Sequence, residues 1–292
     1  MRKFFATLSL LAVSSPQLFA AGGHDVLPSG AEYVFGVGGY GVTNSMLMVF
    51  IVIAAIVVFA QLASRNLSII PSPIQNFAEW VVESLYTFLE GILGEHLVKK
   101  TFWFFASLFL MILISNWAGL FPGVGTVGWK VEGVPGDTFR PFLRGANADL
   151  NMTLGMALVF LVLWTYWSLA ENGIGGFLGH IFAPKGEFKG IMMCGMCVVF
   201  FMVGLIEVFS IALRPIALSF RLYGNVYAGE NMLESIMALV PVVYLKWLAV
   251  LPFYFLELLV GLIQALVFTL LTSVFLKLMC EHHDDHDEEH AH

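Results

Sequence analysis

Five charged side chains fall inside one long apolar stretch of this chain: Glu207, Arg214, Arg221, Glu230 and Glu234. Glu207, Arg214 and Arg221 are spaced by seven residues, so at about 100° per residue they share one helical stripe. Glu230 lies nine residues past Arg221, nearly on the opposite face, with Glu234 one turn further along its own side. The next apolar stretch adds Glu257 and Gln264, again seven apart, and Asp149 stands at the head of an earlier one. A carboxylate can take up and release a proton, whereas a guanidinium keeps its charge. An arginine at the centre of a membrane helix costs ~2.5–3.5 kcal/mol by insertion scales, and such residues face a bundle interior or a water-filled cavity. Two kinds of chemistry suit this set. One is a path for ions or protons through the membrane. The other is pairing that merely locks helices together, which Glu207 and Arg214 could do across two turns.

Depth favours the path for Arg221. Along a helix, Glu207 lies roughly 21 Å to one side of it and Glu230 roughly 13 Å to the other. Carboxylates therefore flank a central cation and open toward different compartments. A following helix that returns antiparallel brings Glu257 near Glu230, and Gln264 near the depth of Arg221. Ala217, Gly224 and Ala228, at spacings of seven and four, form a strip of small residues beside the arginine. Such a strip admits close approach of another helix, either a fixed intramolecular neighbour or a sliding partner.

The elements that must position these groups are read from hydropathy. The chain has 292 residues, 59% hydrophobic and 12% charged, with a mean hydropathy of +0.84. That excludes a soluble domain and implies an all-α polytopic membrane protein. The net charge of −7 reflects acids crowded into the last twelve residues, and no basic patch for nucleic acid is present. Spans are expected at Ser45 to Ala63, Phe102 to Phe121 and Leu150 to Leu169, the last begun by Asp149 as a helix cap. Two much longer stretches follow, Ile191 to Val240 and Val242 to Met279. At about 1.5 Å per residue both exceed the ~30 Å hydrocarbon core, so they must tilt, bend or lie partly along the membrane. Pro215 is a candidate bend in the first and Pro241 a turn between the two.

Before the second span, Ile74, Phe77, Val81, Leu85, Phe88 and Ile92 recur at spacings of three and four. Gln75, Glu79, Glu83 and Glu90 take the other faces, which predicts an amphipathic helix on the membrane surface or against a partner. Residues 122–147, and the stretch "ENGIGGFLGHIFAPKGEFKG" after the third span, read as loops. Arg2 and Lys3 before the apolar run from Phe4 to Val13, then small residues near Ala20 and Ala21, predict a signal peptide over residues 1–21. An extracytoplasmic lead-in over 22–44, a single membrane domain over 45–280 and an acidic, His-rich tail over 281–292 complete the expected organisation. This orientation puts six cations inside (Arg65, Lys99, Lys100, Lys185, Lys189, Lys277) against four outside (Lys130, Arg140, Arg144, Lys246), in weak agreement with the positive-inside rule.

Other signals carry less. Cys194 and Cys197 form C-x-x-C, read as packing because no second ligand pair accompanies them. The tail's five histidines could hold a transition metal, though a solvated tail is the plainer reading. Asn151 opens a glycosylation sequon inside an expected helix and is given no role. No phosphate-binding glycine loop and no nucleophile elbow occurs, so ATP chemistry must reside elsewhere; no cofactor and no bound metal is expected.

At this point the residues resemble a family. "RPIALSFRLYGNVYAGE" is similar to the signature of subunit a of rotary F-type ATP synthases, "FLELLVGLIQALVFTLLTSVFL" to its last helix and "ADLNMTLGMAL" to its third-span start. The resemblance covers roughly residues 40–280. It implies a non-catalytic membrane subunit that conducts protons against a ring of c subunits, held in the synthase complex with the b subunits of the peripheral stalk. Arg221 then corresponds to the essential cation facing the ring. Asn225, Glu230, Glu257 and Gln264, with Asp149, correspond to the outer half-channel and Glu207 to the cytoplasmic one. Arg214 has a supporting place, and Glu234 has no counterpart in the signature. Glu257 stands where some members carry His, so two acids could share one proton. The implied location is a bacterial inner membrane, multi-pass, with the N-terminus outside and the C-terminus cytoplasmic. A self-contained secondary transporter would be the rival; that class shows repeated halves with broken helices, and no such repeat is visible.

Overall fold

The computed structural model describes residues 30–31, 33–37, 40–65, 67–125, 127–130, 139–182, 191–240 and 243–280. The expected signal peptide, the turn at Pro241 and the His-rich tail lie outside them. Five helices, each long and apolar enough to cross a membrane, make up most of the described chain. We label them α1 (Asn44–Ser64), α2 (Pro73–Gly119), α3 (Leu150–Phe182), α4 (Ile191–Leu239) and α5 (Val243–Cys280). The class is all-α and polytopic, as composition requires: in hydrocarbon a backbone must satisfy its own hydrogen bonds.

Local chemistry sets the helix starts. Thr43 caps α1 by accepting from the Met46 amide, and Ser72 caps α2 by accepting from the Gln75 amide, with Pro73 in the first turn. The predicted amphipathic helix and second span are the two arms of α2, joined at Gly94 (φ 78°, ψ 164°). That backbone region is essentially closed to any residue with a Cβ. The buried stripe of the first arm runs through Leu85, Leu89 and Leu93. It corrects the expected face in part, since Ile74 and Phe77 stay about half exposed. Phe77 packs with Phe59 and Trp80 instead.

The third span continues past its expected end in the same way. Helix α3 turns at Gly173 (φ 67°, ψ 171°) and runs on to Phe182, so the first part of the expected polar loop is helical. Lys100 on α2 anchors this extension through a 2.6 Å ion pair to Glu171. Short antiparallel pairs punctuate the connections: β1 (Tyr33–Val37) with β2 (Tyr40–Thr43), and β3 (Gly128–Lys130) with β4 (Phe139–Pro141). A 3-10 turn over Ala146–Ala148 leads into α3. Within the glycine-rich lead-in, β1 and β2 thus pair with each other, and β2 leads directly into α1.

Helix α4 spans 49 residues and α5 spans 38, close to the expected bounds and both longer than a bilayer crossing needs. The helical assignment of α4 passes through Pro215 without interruption. The core lies where α2, α3, α4 and α5 meet, around Phe105, Ile112, Phe160, Leu222, Phe268 and Leu276. Side chains on one helix also bond carbonyls on another. Asn116 Nδ2 donates to Gly261 O at 3.0 Å, Trp117 Nε1 to Leu258 O at 3.1 Å and Trp164 Nε1 to Phe275 O at 3.1 Å. Tyr254 donates to the Leu120 carbonyl. These bonds seat α2 and α3 on α5, leaving much of α4 exposed to whatever surrounds the chain.

Gly94→Ala should cost about 1–3 kcal/mol at the α2 bend, read as a lower melting temperature of the detergent-solubilised protein. Gly91→Ala, in a regular turn with open space around it, serves as the control and should leave the melting temperature unchanged or raise it slightly, by up to about 1 kcal/mol of stability.

Candidate functional site

A narrow cavity opens between α2, α4 and α5. Asn116 from α2, Asn225 and Glu230 from α4, and Glu257 and Gln264 from α5 line it. Four of these five are residues singled out in the sequence, and the antiparallel return of α5 brings them together as expected. Asn225 Nδ2 donates to Gln264 Oε1 at 2.8 Å, closing the inner end one turn from Arg221. Gln264 is 5% exposed and Glu257 7%. The Gln264 Nε2 has no partner among the described residues, so it points a donor into the polar space.

Glycines let the two acids sit where they do. A Cβ at Gly229 would fall on the Glu257 carboxyl group, and one at Gly145 would fall on Glu230 Oε1. Gly145 in turn lies against Gly119, where a Cβ would come within 3.2 Å of its Cα. Each carboxylate therefore rests on bare backbone of a neighbouring element. Glu230 also faces a cation: Arg144 Nε lies 3.8 Å from Glu230 Oε2.

Arg221 is placed differently. It is exposed on the surface of α4, and among the described residues it has neither hydrogen bond nor ion pair. Leu218 and Leu222 beside it are buried toward the core, so the arginine is turned outward by the register of its own helix. Ala217 and Ala228 are exposed on α4 as well, and a Cβ at Gly224 would meet nothing within 4 Å. The small-residue strip is therefore open rather than filled by another helix of this chain.

Toward the other end of α4, Arg214 Nη2 donates to Glu207 Oε1 at 3.0 Å. The same guanidinium stacks over Phe275 of α5, 4.7 Å from its ring centroid. Arg214 is thus tied down on both sides, whereas the Glu207 side chain stays 44% exposed. Asp149 does not line the cavity. Its Oδ2 accepts from Ser45 Oγ at 2.9 Å and its Oδ1 from the Asn151 amide at 3.0 Å. That makes it a cap for α3 and a clamp on α1. Glu234 is exposed near the end of α4. The side chains of Cys194 and Cys197 lie outside the description, and among the described residues no group of His, Cys, Asp or Glu could hold a metal.

Two groups at the site escaped the reading of the sequence. Asn116 was passed over as part of an apolar span, although a lone amide there is itself a signal. It accepts at Oδ1 from Asn147 Nδ2 at 2.7 Å while donating to α5, so it links the connection before α3 to the cavity wall. Arg144 was counted only as an outer charge. Its place five residues before Asp149 offered no periodicity from which burial could be read.

Comparison with known proteins gives the family. The family described as ATP synthase A chain matches residues 46–277. The chain is 29% identical over 243 residues to the ATP synthase subunit a of Gloeobacter violaceus, covering 83% of this chain and 86% of that one. It is 27% identical over 255 residues to the chloroplastic ATP synthase subunit a of Stigeoclonium helveticum, covering 87% and 92%. With the match running from the third residue of α1 nearly to the end of α5, the chain belongs to the ATP synthase A chain family.

Proposed function

We propose that this chain loads and unloads the carboxylates of a c-subunit ring through two offset half-channels, with Arg221 as the barrier between them. Membership of the family already assigns it to the proton-translocating membrane sector of a rotary ATP synthase. The observation that carries the finer reading is the exposed, unpartnered Arg221 one turn from the Asn225–Gln264 bond. A guanidinium on the outside of an apolar helix is costly unless something polar covers it. The strip of Ala217, Gly224 and Ala228 gives a helix from another subunit room to do so.

In this reading a proton arriving from outside passes Glu230 and Glu257 and the amides of Asn225 and Gln264 to a ring carboxylate. Once neutral, that carboxylate can turn into lipid. After nearly a full rotation it meets the cytoplasmic half-channel at Glu207, which has one oxygen on Arg214 and a side chain half open to its surroundings. Arg221, with its charge fixed, favours ionisation of each arriving carboxylate and repels protons that would cross directly. The membrane potential supplies ~2.3 kcal/mol per charge per 100 mV, so leakage past this point would dissipate the drive. Asp149 supports the outer wall by holding α1 to α3, and Arg214 fixes Glu207 while bracing α4 on α5. The setting is a bacterial plasma membrane with the N-terminus outside and the C-terminus cytoplasmic, and the b subunits of the peripheral stalk are fixed partners.

Arg221→Ala should leave assembly intact and abolish ATP-driven proton uptake in membrane vesicles; uptake at the parental rate would refute the barrier role. Gly229→Ala displaces the Glu257 carboxyl and should slow uptake roughly tenfold to a hundredfold, as ångström-scale misplacement does elsewhere. Gly224→Ala, facing open space within the chain, tests the strip: slowed rotation is expected only if a partner helix packs there. Uptake measured with and without sodium should be the same, since protons are the proposed ion.

A further inference from the structure

We propose that Arg144, in the connection before α3, is a positioning residue for Glu230, holding that carboxylate at the mouth of the cavity as an open proton acceptor. The inference rests on the half-channel reading and adds to it a cation from outside the helices. Arg144 is 4% exposed although its chain segment is a connection and not a span. Its Nη1 donates to Gly30 O at 2.8 Å, and its guanidinium carbon lies 5.9 Å from the Tyr227 ring centroid. Its one ion-pair partner among the described residues is Glu230. A buried guanidinium is retained at a cost unless an anion compensates it, so this position needs Glu230 as much as Glu230 needs the cation.

The geometry separates this pair from an ordinary structural salt bridge. At 3.8 Å between Nε and Oε2 the two charges attract but do not share a hydrogen bond. Both atoms are buried and otherwise without a hydrogen-bond partner among the described residues. Glu230 is therefore oriented without giving up the lone pair that must accept a proton. The next residue, Gly145, seats the other oxygen: a Cβ there would fall on Glu230 Oε1. Two consecutive residues thus fix both oxygens of one carboxylate, one by charge and one by the absence of a side chain. The guanidinium itself cannot relay the proton, because it does not deprotonate. It acts through Glu230.

The test uses membrane vesicles carrying the whole synthase, with ATP-driven proton uptake normalised to assembled complex for Arg144→Gln, Arg144→Lys and Glu230→Gln. Arg144→Gln should lower uptake roughly tenfold to a hundredfold by misplacing Glu230, and Arg144→Lys, which keeps the charge, should restore most of it. Parental uptake by Arg144→Gln, or a Lys variant as poor as the Gln variant, overturns the proposal. If Arg144→Gln fails to assemble, Arg144→Lys decides: uptake near the parental rate supports the charge role, and a tenfold loss on the scale of misplacement refutes it. Glu230→Gln separates the two levels of argument. Should it pump normally, the outer half-channel through Glu230 falls; should it fail while Arg144→Gln pumps normally, only the role of Arg144 falls.

Discussion

Charge in hydrocarbon is expensive, and the arrangement of this molecule follows from where that cost is met inside the chain and where it is left open. Arg214 is met twice, by Glu207 at 3.0 Å and by the face of Phe275. Arg144 is met loosely, by Glu230 at 3.8 Å, and otherwise by a carbonyl and an aromatic ring. Arg221 is not met at all among the described residues. The three form a series in which less of the charge is neutralised by the chain itself. An arginine left uncovered on an apolar helix makes sense only if a partner completes it, and it stands on the strip of α4 where a helix could approach closely.

Small residues make the other half of the arrangement possible. Glu230 and Glu257 lie against Gly145 and Gly229, close enough that a methyl group at either place would displace a carboxyl. Asn and Trp side chains tie helices together through carbonyl acceptors, which keeps the framework fixed without adding charge. Interhelical bonds of this kind are individually modest, on the order of 0.6 kcal/mol in one measured membrane protein. Their number along α5 matters more than any one of them. The rigid part of the molecule is thus the α2–α3–α5 side, and the open part is the outer face of α4.

Much of this was legible in the residues. Helix α1 lies within one residue of the expected span at each end, and α4 and α5 nearly match the two long apolar stretches, because unbroken hydrophobicity is a strong signal. Seven-residue spacing allowed the Glu207–Arg214 pair that forms, and antiparallel return put Glu257 beside Glu230 on one cavity and Gln264 near the depth of Arg221. What escaped was structure that follows no period. The stretch after Gly173 is glycine-rich and polar, so it reads as loop, yet a glycine bend lets the helix change direction and continue. The hairpin over Tyr33–Thr43 was likewise hidden among glycines. The buried stripe on the first arm of α2 leaves out Phe77, which packs with Phe59 and Trp80 away from the core.

Arg144 shows why the cavity's flank was harder to read than Arg221. Arg221 announces itself by being polar in an apolar run, so its cost is visible in one dimension. Arg144 sits in a stretch where charge is ordinary, and its cost arises only when the connection folds over Glu230. A cation in a connection can approach a helix from the side, which no residue on the same helix can do. It can hold a carboxylate from a direction that leaves the cavity free, with the adjacent glycine taking up the second oxygen. A proton path needs acceptors that are held but not consumed, and the looser of the two carboxylate–arginine pairs is the one that lies on the cavity. The tighter pair, on Glu207, has its arginine committed to Phe275 as well. At that end accessibility comes instead from the exposure of the carboxylate itself.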